Sequence, residues 1–291
     1  MVKLILASMR PSQWVKNTVV FAAMVFAGRL FVPADLLKSV GAFVIFCMVS
    51  GAAYLFNDVR DAQSDRHHEA KRLRPVASGR LSAQAAAGTA CVLVVVALAL
   101  STLLGRDFVA VIAAYLTLSA AYSLYLKHVV ILDVMAVAAG FMLRAIAGAA
   151  AVDVEISAWL VICTIFLSLF LAVGKRRHEL MFMTDSAAPH RSVLADYSPQ
   201  LLDQMIAVVA TSTVIVYTLY TTSPEVQLKL DTTKLYITIP FVVYGIFRYL
   251  YLVHNRQEGG KPERVLFSDI PLLIDVLLWI GAACVALYVW C

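Results

Sequence analysis

"YLFNDVRDAQSDRHHEAKRLRP", residues 54–75, follows an almost uncharged apolar run and places three aspartates and then a cluster of bases at its exit. Asp58, Asp61 and Asp65 fall at i, i+3 and i+7, and Asn57 lies four residues before Asp61. If the preceding helix continues past a membrane surface, all four project from one broad face. Such a stripe is unfavourable by itself, because like charges repel and a helix C-terminus already carries negative potential. Nearby arginines can offset it. Oxygen-only ligands on one face also suit Mg2+, which takes carboxylates, retained waters and phosphate oxygens. Lys71, Arg72, Arg74 and Arg80 follow at once and are phosphate donors, Arg being able to grip bidentately. The expected occupant is a magnesium-bound diphosphate. A solvated basic loop explains the bases but leaves the aspartates unexplained.

The rest of the chain supplies the membrane. Of 291 residues, 61% are hydrophobic and the mean hydropathy is +0.81, too apolar for a soluble domain. Windows of about twenty apolar residues cross the hydrocarbon as helices, and the sequence predicts nine: 14–31, 36–56, 83–104, 108–126, 131–152, 156–173, 201–220, 235–253 and 270–290. The first, with Lys16, Asn17 and Arg29 near its ends, is the weakest. The expected fold is all-α and polytopic, one integral membrane catalytic domain over residues 1–291. Loops of about 57–82 and 174–200 would cap the active site. Five cysteines without a CxxC pair suggest neither a disulfide framework nor a thiolate site. The N-terminus lacks the pattern of a cleaved signal peptide, so the first helix is expected to stay.

With that numbering, eighteen of the 24 bases fall on one side. The positive-inside rule then makes the N-terminus and the even-numbered loops cytoplasmic and puts the C-terminus outside. All six histidines lie in those cytoplasmic connections without ligand-like spacing, and none is assigned to a metal. Arg144 lies within a span, eleven residues after Asp133. A helix rises about 16 Å over that interval, so the two cannot pair. Arg144 therefore needs another interior partner, structural or lining a cavity. Asp133 itself could be a dipole-favoured residue at a helix start. The surrounding "AVAAGFMLRAIAGAAA", residues 136–151, has the small residues that let helices pack closely.

NDxxDxxxD after a membrane helix, followed by K-x-x-R-P, resembles the first aspartate-rich motif of the UbiA superfamily of intramembrane prenyltransferases. "RPSQWVKN" (residues 10–17), "YSLYLKHVVILDV" (122–134) and "GKRRHEL" (174–180) resemble the decaprenyl-phosphate phosphoribosyltransferase branch. That resemblance implies about nine helices around a central cavity, in the bacterial inner (plasma) membrane. It also implies an Mg2+-dependent transfer of a 5-phosphoribosyl group from 5-phosphoribosyl 1-diphosphate to a polyprenyl phosphate, a step of cell-wall arabinan precursor synthesis. The aromatic prenyltransferases of the superfamily carry a D-K-P-I-G stretch and a second, DxxxD motif. Here the second position reads Lys-Arg-Arg-His-Glu, which suits a second phosphate-bearing ligand better than a second metal. The branch often has Pro after the histidine of its first motif, where this chain has His68-Glu69.

On that reading Asn57, Asp58, Asp61 and Asp65 hold Mg2+ and the sugar diphosphate, the three aspartates being the catalytic residues. Lys16, Arg72, Arg74, Lys175 and Arg176 contact phosphates, with Gln13 and Asn17 as polar support. Tyr122 and Lys127 are further substrate contacts, although Tyr-x-x-Tyr at a membrane boundary is also an ordinary interfacial belt. The expected partners are the lipid phosphate, the sugar diphosphate and the bilayer, with no nucleic acid; self-association into a homo-oligomer stays open. Two alternatives remain: prenyl transfer from a polyprenyl diphosphate to an aromatic acceptor, and a small membrane transporter. The transporter predicts charges along a through-path, whereas the polar signal here, apart from Arg144 and a few outer-loop charges, stops at one face.

Overall fold

In the computed structural model the described residues are 1–67, 71–181, 192–256, 260 and 262–290. His68, Glu69, His190, Arg191, Lys261 and Cys291 lie outside them. Among the described residues the chain is helical and has no strand. A short helix α1 (Val2–Met9) and α2 (Val20–Phe26) precede the long α3 (Pro33–Arg60) and its continuation α4 (Ala62–Arg66). Then come α5 (Ala83–Ser101), α6 (Arg106–Leu124), α7 (Leu132–Val152), α8 (Ala158–Met181) and α9 (Pro199–Thr222). The short α10 (Pro224–Leu230) and α12 (Pro262–Ser268) flank α11 (Ile239–Asn255), and α13 (Ile270–Tyr288) closes the bundle.

Local chemistry sets many of these ends. Pro33, Pro199 and Pro271 sit in first turns, where a missing N–H costs nothing. Ser82, Ser198 and Asp269 accept the N–H groups of Ala85, Leu201 and Leu272 at 3.2, 3.1 and 2.9 Å. Each cap removes one orphan donor from a helix start.

Eight helical stretches among the described residues are long and apolar enough to cross a membrane. They correspond to the second through ninth expected spans. The first span differs: it is a 3-10 helix over Pro11–Val19 that passes into α2. The tighter helix is longer per residue. Nine residues at about 2.0 Å and seven at about 1.5 Å reach about 29 Å, close to the hydrocarbon thickness. By length this broken segment could reach across the hydrocarbon, and its residues Asn17, Val20, Ala23 and Met24 are buried in the bundle. A Cβ on Gly148 would stand 2.0 Å from the carbonyl oxygen of Val20, so only glycine allows the two backbones to meet.

Two aromatic junctions lock the bundle. Phe46 of α3 packs edge-on to Phe108 and Tyr115 of α6, with centroids 6.4 and 5.2 Å apart. Phe170 of α8 meets Tyr249 of α11 at 5.2 Å. Because successive crossings alternate in direction, the C-termini of α3, α6 and α8 and the N-termini of α5, α7 and α9 share one end. The described residues among those singled out at 57–82, 122–133 and 174–180 lie there. The expected loop at 174–200 begins later than its polarity suggests, since α8 continues to Met181. Lys175 and Arg176 are therefore helical neighbours turned about 100° apart.

Candidate active site at one end of the bundle

α3 ends at Arg60, and Asp61 (φ −87°, ψ 5°) joins it to α4. The bonds Asp61 N–H to Asn57 O (2.9 Å) and Asp65 N–H to Asp61 O (2.8 Å) carry the helical register through the bend. Each aspartate has a cation. Arg10 donates to Oδ1 of Asp58, and Arg74 Nη1 lies 3.3 Å from that oxygen and 2.6 Å from Oδ2 of Asp65. Lys127 Nζ lies 2.8 and 2.9 Å from the two oxygens of Asp61. Three negative charges thus face three positive ones drawn from three other parts of the chain.

Arg10 is the residue sequence reasoning missed. It adopts φ 55° and ψ 68°, a left-handed conformation that costs a side-chain-bearing residue about 1 kcal/mol or more. That turn separates α1 from the 3-10 segment and sends the guanidinium over the Tyr54 ring, 4.7 Å from its centroid. The signal was present in "RPSQWVKN": an arginine before a proline, at a helix break.

The donor set suits a hard divalent cation. Asp58 is 1% exposed, and its Oδ2 is buried with no hydrogen-bond partner, a strongly unfavourable state for a carboxylate oxygen unless a cation completes it. In this arrangement, however, no three His, Cys, Asp or Glu side chains among the described residues gather closely enough to hold a metal. The reason is geometric: Arg74 separates Asp58 from Asp65, and Asp61 turns to Lys127. Asn57 is half-buried on the last turn of α3, and Arg72 is exposed on the 3-10 turn Lys71–Leu73.

The second motif builds a different object. Arg176 is 4% exposed. Its Nε donates to Asp133 Oδ2 and its Nη1 to Glu179 Oε2, both at 2.5 Å, while Nη2 is 3.4 Å from the Tyr122 hydroxyl. Asp133, fully buried, also accepts from the Tyr197 hydroxyl at 2.7 Å, and that hydroxyl accepts the Ile131 N–H at 2.7 Å. Burial, and then the hydrogen bond to the Asp133 carboxylate, push the Tyr197 phenol well above its ordinary value. It stays a donor. Ile131 itself has φ 70° and ψ −46°, and Leu132 N–H reaches Val130 O at 2.8 Å. This is a γ-turn, rare for a branched residue, and the Tyr197 hydroxyl holds it. Arg176, read from sequence as a phosphate contact, is instead committed to carboxylates. Lys175 is far more open, with a 40% exposed side chain 3.9 Å from Glu179.

Arg144 finds its interior partners on three elements. It donates to Asn17 Oδ1, Gly140 O and the Tyr115 hydroxyl, each at 2.8 Å. The Nδ2 of Asn17 lies 3.3 Å from both Cys47 Sγ and Ser50 Oγ. Asn17 is thus buried with both ends of its amide used, as a clamp between α3, α7 and the 3-10 segment; expected beside a phosphate, it holds the scaffold. Gln13 and Lys16, earlier on that segment, are half-buried.

The UbiA prenyltransferase family matches residues 18–270, and the chain belongs to it. Decaprenyl-phosphate phosphoribosyltransferase of Corynebacterium glutamicum is 36% identical over 288 residues, covering 97% of this chain and 86% of its own. The protein of the same name from Mycolicibacterium smegmatis is 36% identical over 295 residues, covering 98% and 92%. Among solved structures, a UbiA homologue from Archaeoglobus fulgidus bound to GPP and Mg2+ matches with a TM-score of 0.74 at 18% identity, over 98% of this chain and 99% of that one. That likeness shows the fold.

Proposed function

We propose that the chain transfers a 5-phosphoribosyl group from 5-phosphoribosyl 1-diphosphate to a polyprenyl phosphate, releasing pyrophosphate. The observation that carries this reading is the inequality of the two motifs. One supplies three carboxylates; the other offers the more open Lys175, and its single carboxylate, Glu179, is already engaged by Arg176. A prenyl transfer that ionises a lipid diphosphate benefits from carboxylates on both sides of the leaving group. A transfer between a sugar diphosphate and a lipid monophosphate needs one metal-binding cluster and one cationic site. The relatives at 36% identity carry the name of this activity.

Asp58, Asp61 and Asp65, with Asn57, would hold Mg2+, which when bound neutralises the departing diphosphate. The chain's own part is to position and to balance charge. Arg72, Arg74, Lys127 and Lys175, with Gln13, Lys16 and Tyr122, meet the phosphates. An oxygen of the lipid phosphate attacks the anomeric carbon, a C–O bond forms there, and the bond to the diphosphate breaks with its electron pair leaving on pyrophosphate. No base is needed, because a phosphate monoester is already anionic near pH 7. The buried carboxylates stabilise the positive charge that grows on the sugar ring. Arg176 and Asn17 keep α6, α7 and the 3-10 segment in place.

The site's end of the bundle carries most of the bases, which by the positive-inside rule supports a cytoplasmic site and N-terminus in a bacterial inner membrane, with the C-terminus outside. The test is pyrophosphate release from 5-phosphoribosyl 1-diphosphate by purified protein with Mg2+, with and without a polyprenyl monophosphate. Release that depends on the lipid supports the proposal; consumption of a polyprenyl diphosphate with an aromatic acceptor instead defeats it.

A further inference from the structure

Arg10 and Arg74 engage carboxylate oxygens that a divalent metal would need. Both approach the same oxygen of Asp58, one of them also bridges to Asp65, and the other oxygen of Asp58 is left buried without a partner. A cation therefore already lies between the two carboxylates. The two partners differ in exposure: the arginine side chains are 26% and 25% exposed, the two aspartates 1% and 5%. The carboxylates form the floor and the guanidiniums come from the open side, so the arginines can swing away without unpacking a helix.

We propose that Arg10 and Arg74 are exchangeable placeholders: they neutralise Asp58 and Asp65 until a divalent metal takes the carboxylates, and then move onto diphosphate oxygens. This rests on the reading of the site as a metal–diphosphate centre, but not on the sugar or the lipid. The consequence is ordered by charge. A metal arriving alone adds positive charge to a balanced set and must strand two guanidiniums. A diphosphate arriving alone finds the arginines occupied. Together, each supplies the partner the other displaces, so the two bind cooperatively, and the coupling is reciprocal. Arg10, which lies in neither charged motif, thereby becomes a ligand of the leaving group.

The experiment uses the full-length protein in detergent, Mn2+ as the metal probe read by electron paramagnetic resonance, and inorganic pyrophosphate as the anion. For the wild type, Mn2+ should bind at least about tenfold more tightly with pyrophosphate present, after allowing for the complex the two form in solution. Arg74→Gln and Arg10→Gln should each tighten Mn2+ alone while weakening pyrophosphate. Opposite shifts are the signature, since a merely structural role loosens both. The two arginines belong to different segments, so failure of one variant to fold leaves the other. The proposal is overturned if wild-type Mn2+ affinity is unchanged by pyrophosphate, or if either folded variant binds Mn2+ alone no more tightly. Neither result depends on phosphoribosyl transfer, so a chain that ignores the sugar substrate still tests the exchange.

Discussion

Lys127 Nζ lies 2.8 and 2.9 Å from the two carboxylate oxygens of Asp61, joining positions 66 apart in sequence. Three residues beyond the end of α6, this lysine ties the α6–α7 connection to the aspartate row, while Tyr122, on the last turn of α6, faces Arg176. The end of α6 and the short connection after it thereby touch both motifs.

Removing that link should hurt turnover more than stability. Asp61→Asn should lower the rate on the order of 10²–10³-fold, the usual scale for loss of one preorganised electrostatic group. Lys127→Gln should lower kcat/KM for the sugar diphosphate while leaving KM for the lipid nearly unchanged. Steady-state kinetics with each substrate varied separately decides this.

Lys175 and Arg176 adjoin in sequence but should behave oppositely. Arg176→Gln breaks a buried pair with Asp133 and should destabilise the fold by about 3–5 kcal/mol. Lys175→Gln should leave the unfolding midpoint unchanged and weaken binding of a phosphate-bearing substrate. Thermal unfolding in detergent, paired with a binding assay, separates them.

Gly148→Ala places a methyl group against the Val20 carbonyl, where the Cβ position is 2.0 Å from oxygen. Overpacking of this kind costs about 1–3 kcal/mol or more. The 3-10 segment and α2 should be pushed off α7, and the variant should show a lower unfolding midpoint together with reduced activity.

Arg248 binds both oxygens of Asp269 at 3.0 and 2.8 Å. That hydrogen bonding holds the carboxyl below its ordinary value, helped by the Leu272 N–H. A lowered folded-state pKa contributes stability that is fully present above the ordinary carboxylate range, about 4, and is lost as pH falls through the lowered value. Asp269→Asn keeps a capping side chain and loses the charge. The midpoint difference between wild type and variant should be constant from pH 8 to 5 and close below about pH 4; a difference that persists at low pH contradicts the assignment.

Eight spans and the aspartate row were legible because they rest on local signals, hydropathy and helical spacing. The carboxylates' partners were not. Arg10, Arg74 and Lys127 reach Asp58, Asp65 and Asp61 from 48, 9 and 66 positions away, and only the packed bundle specifies those meetings. The first crossing was misjudged in form because polar residues at 13, 16 and 17 fit neither an apolar α-helix nor a loop. Asn17 is polar in order to receive Arg144. The partners of Arg176 were hidden for a related reason: a base in a basic motif reads as a phosphate ligand until Asp133, 43 positions away, is placed against it.

The most direct test of the central claim follows the sugar. Purified protein should be given 5-phosphoribosyl 1-diphosphate labelled in the ribose, a polyprenyl monophosphate and Mg2+, and the organic extract counted. The account predicts label in the lipid fraction in proportion to pyrophosphate released, and none with Asp61→Asn or after chelation of the metal. Label that stays in the aqueous phase while a polyprenyl diphosphate is consumed would contradict it.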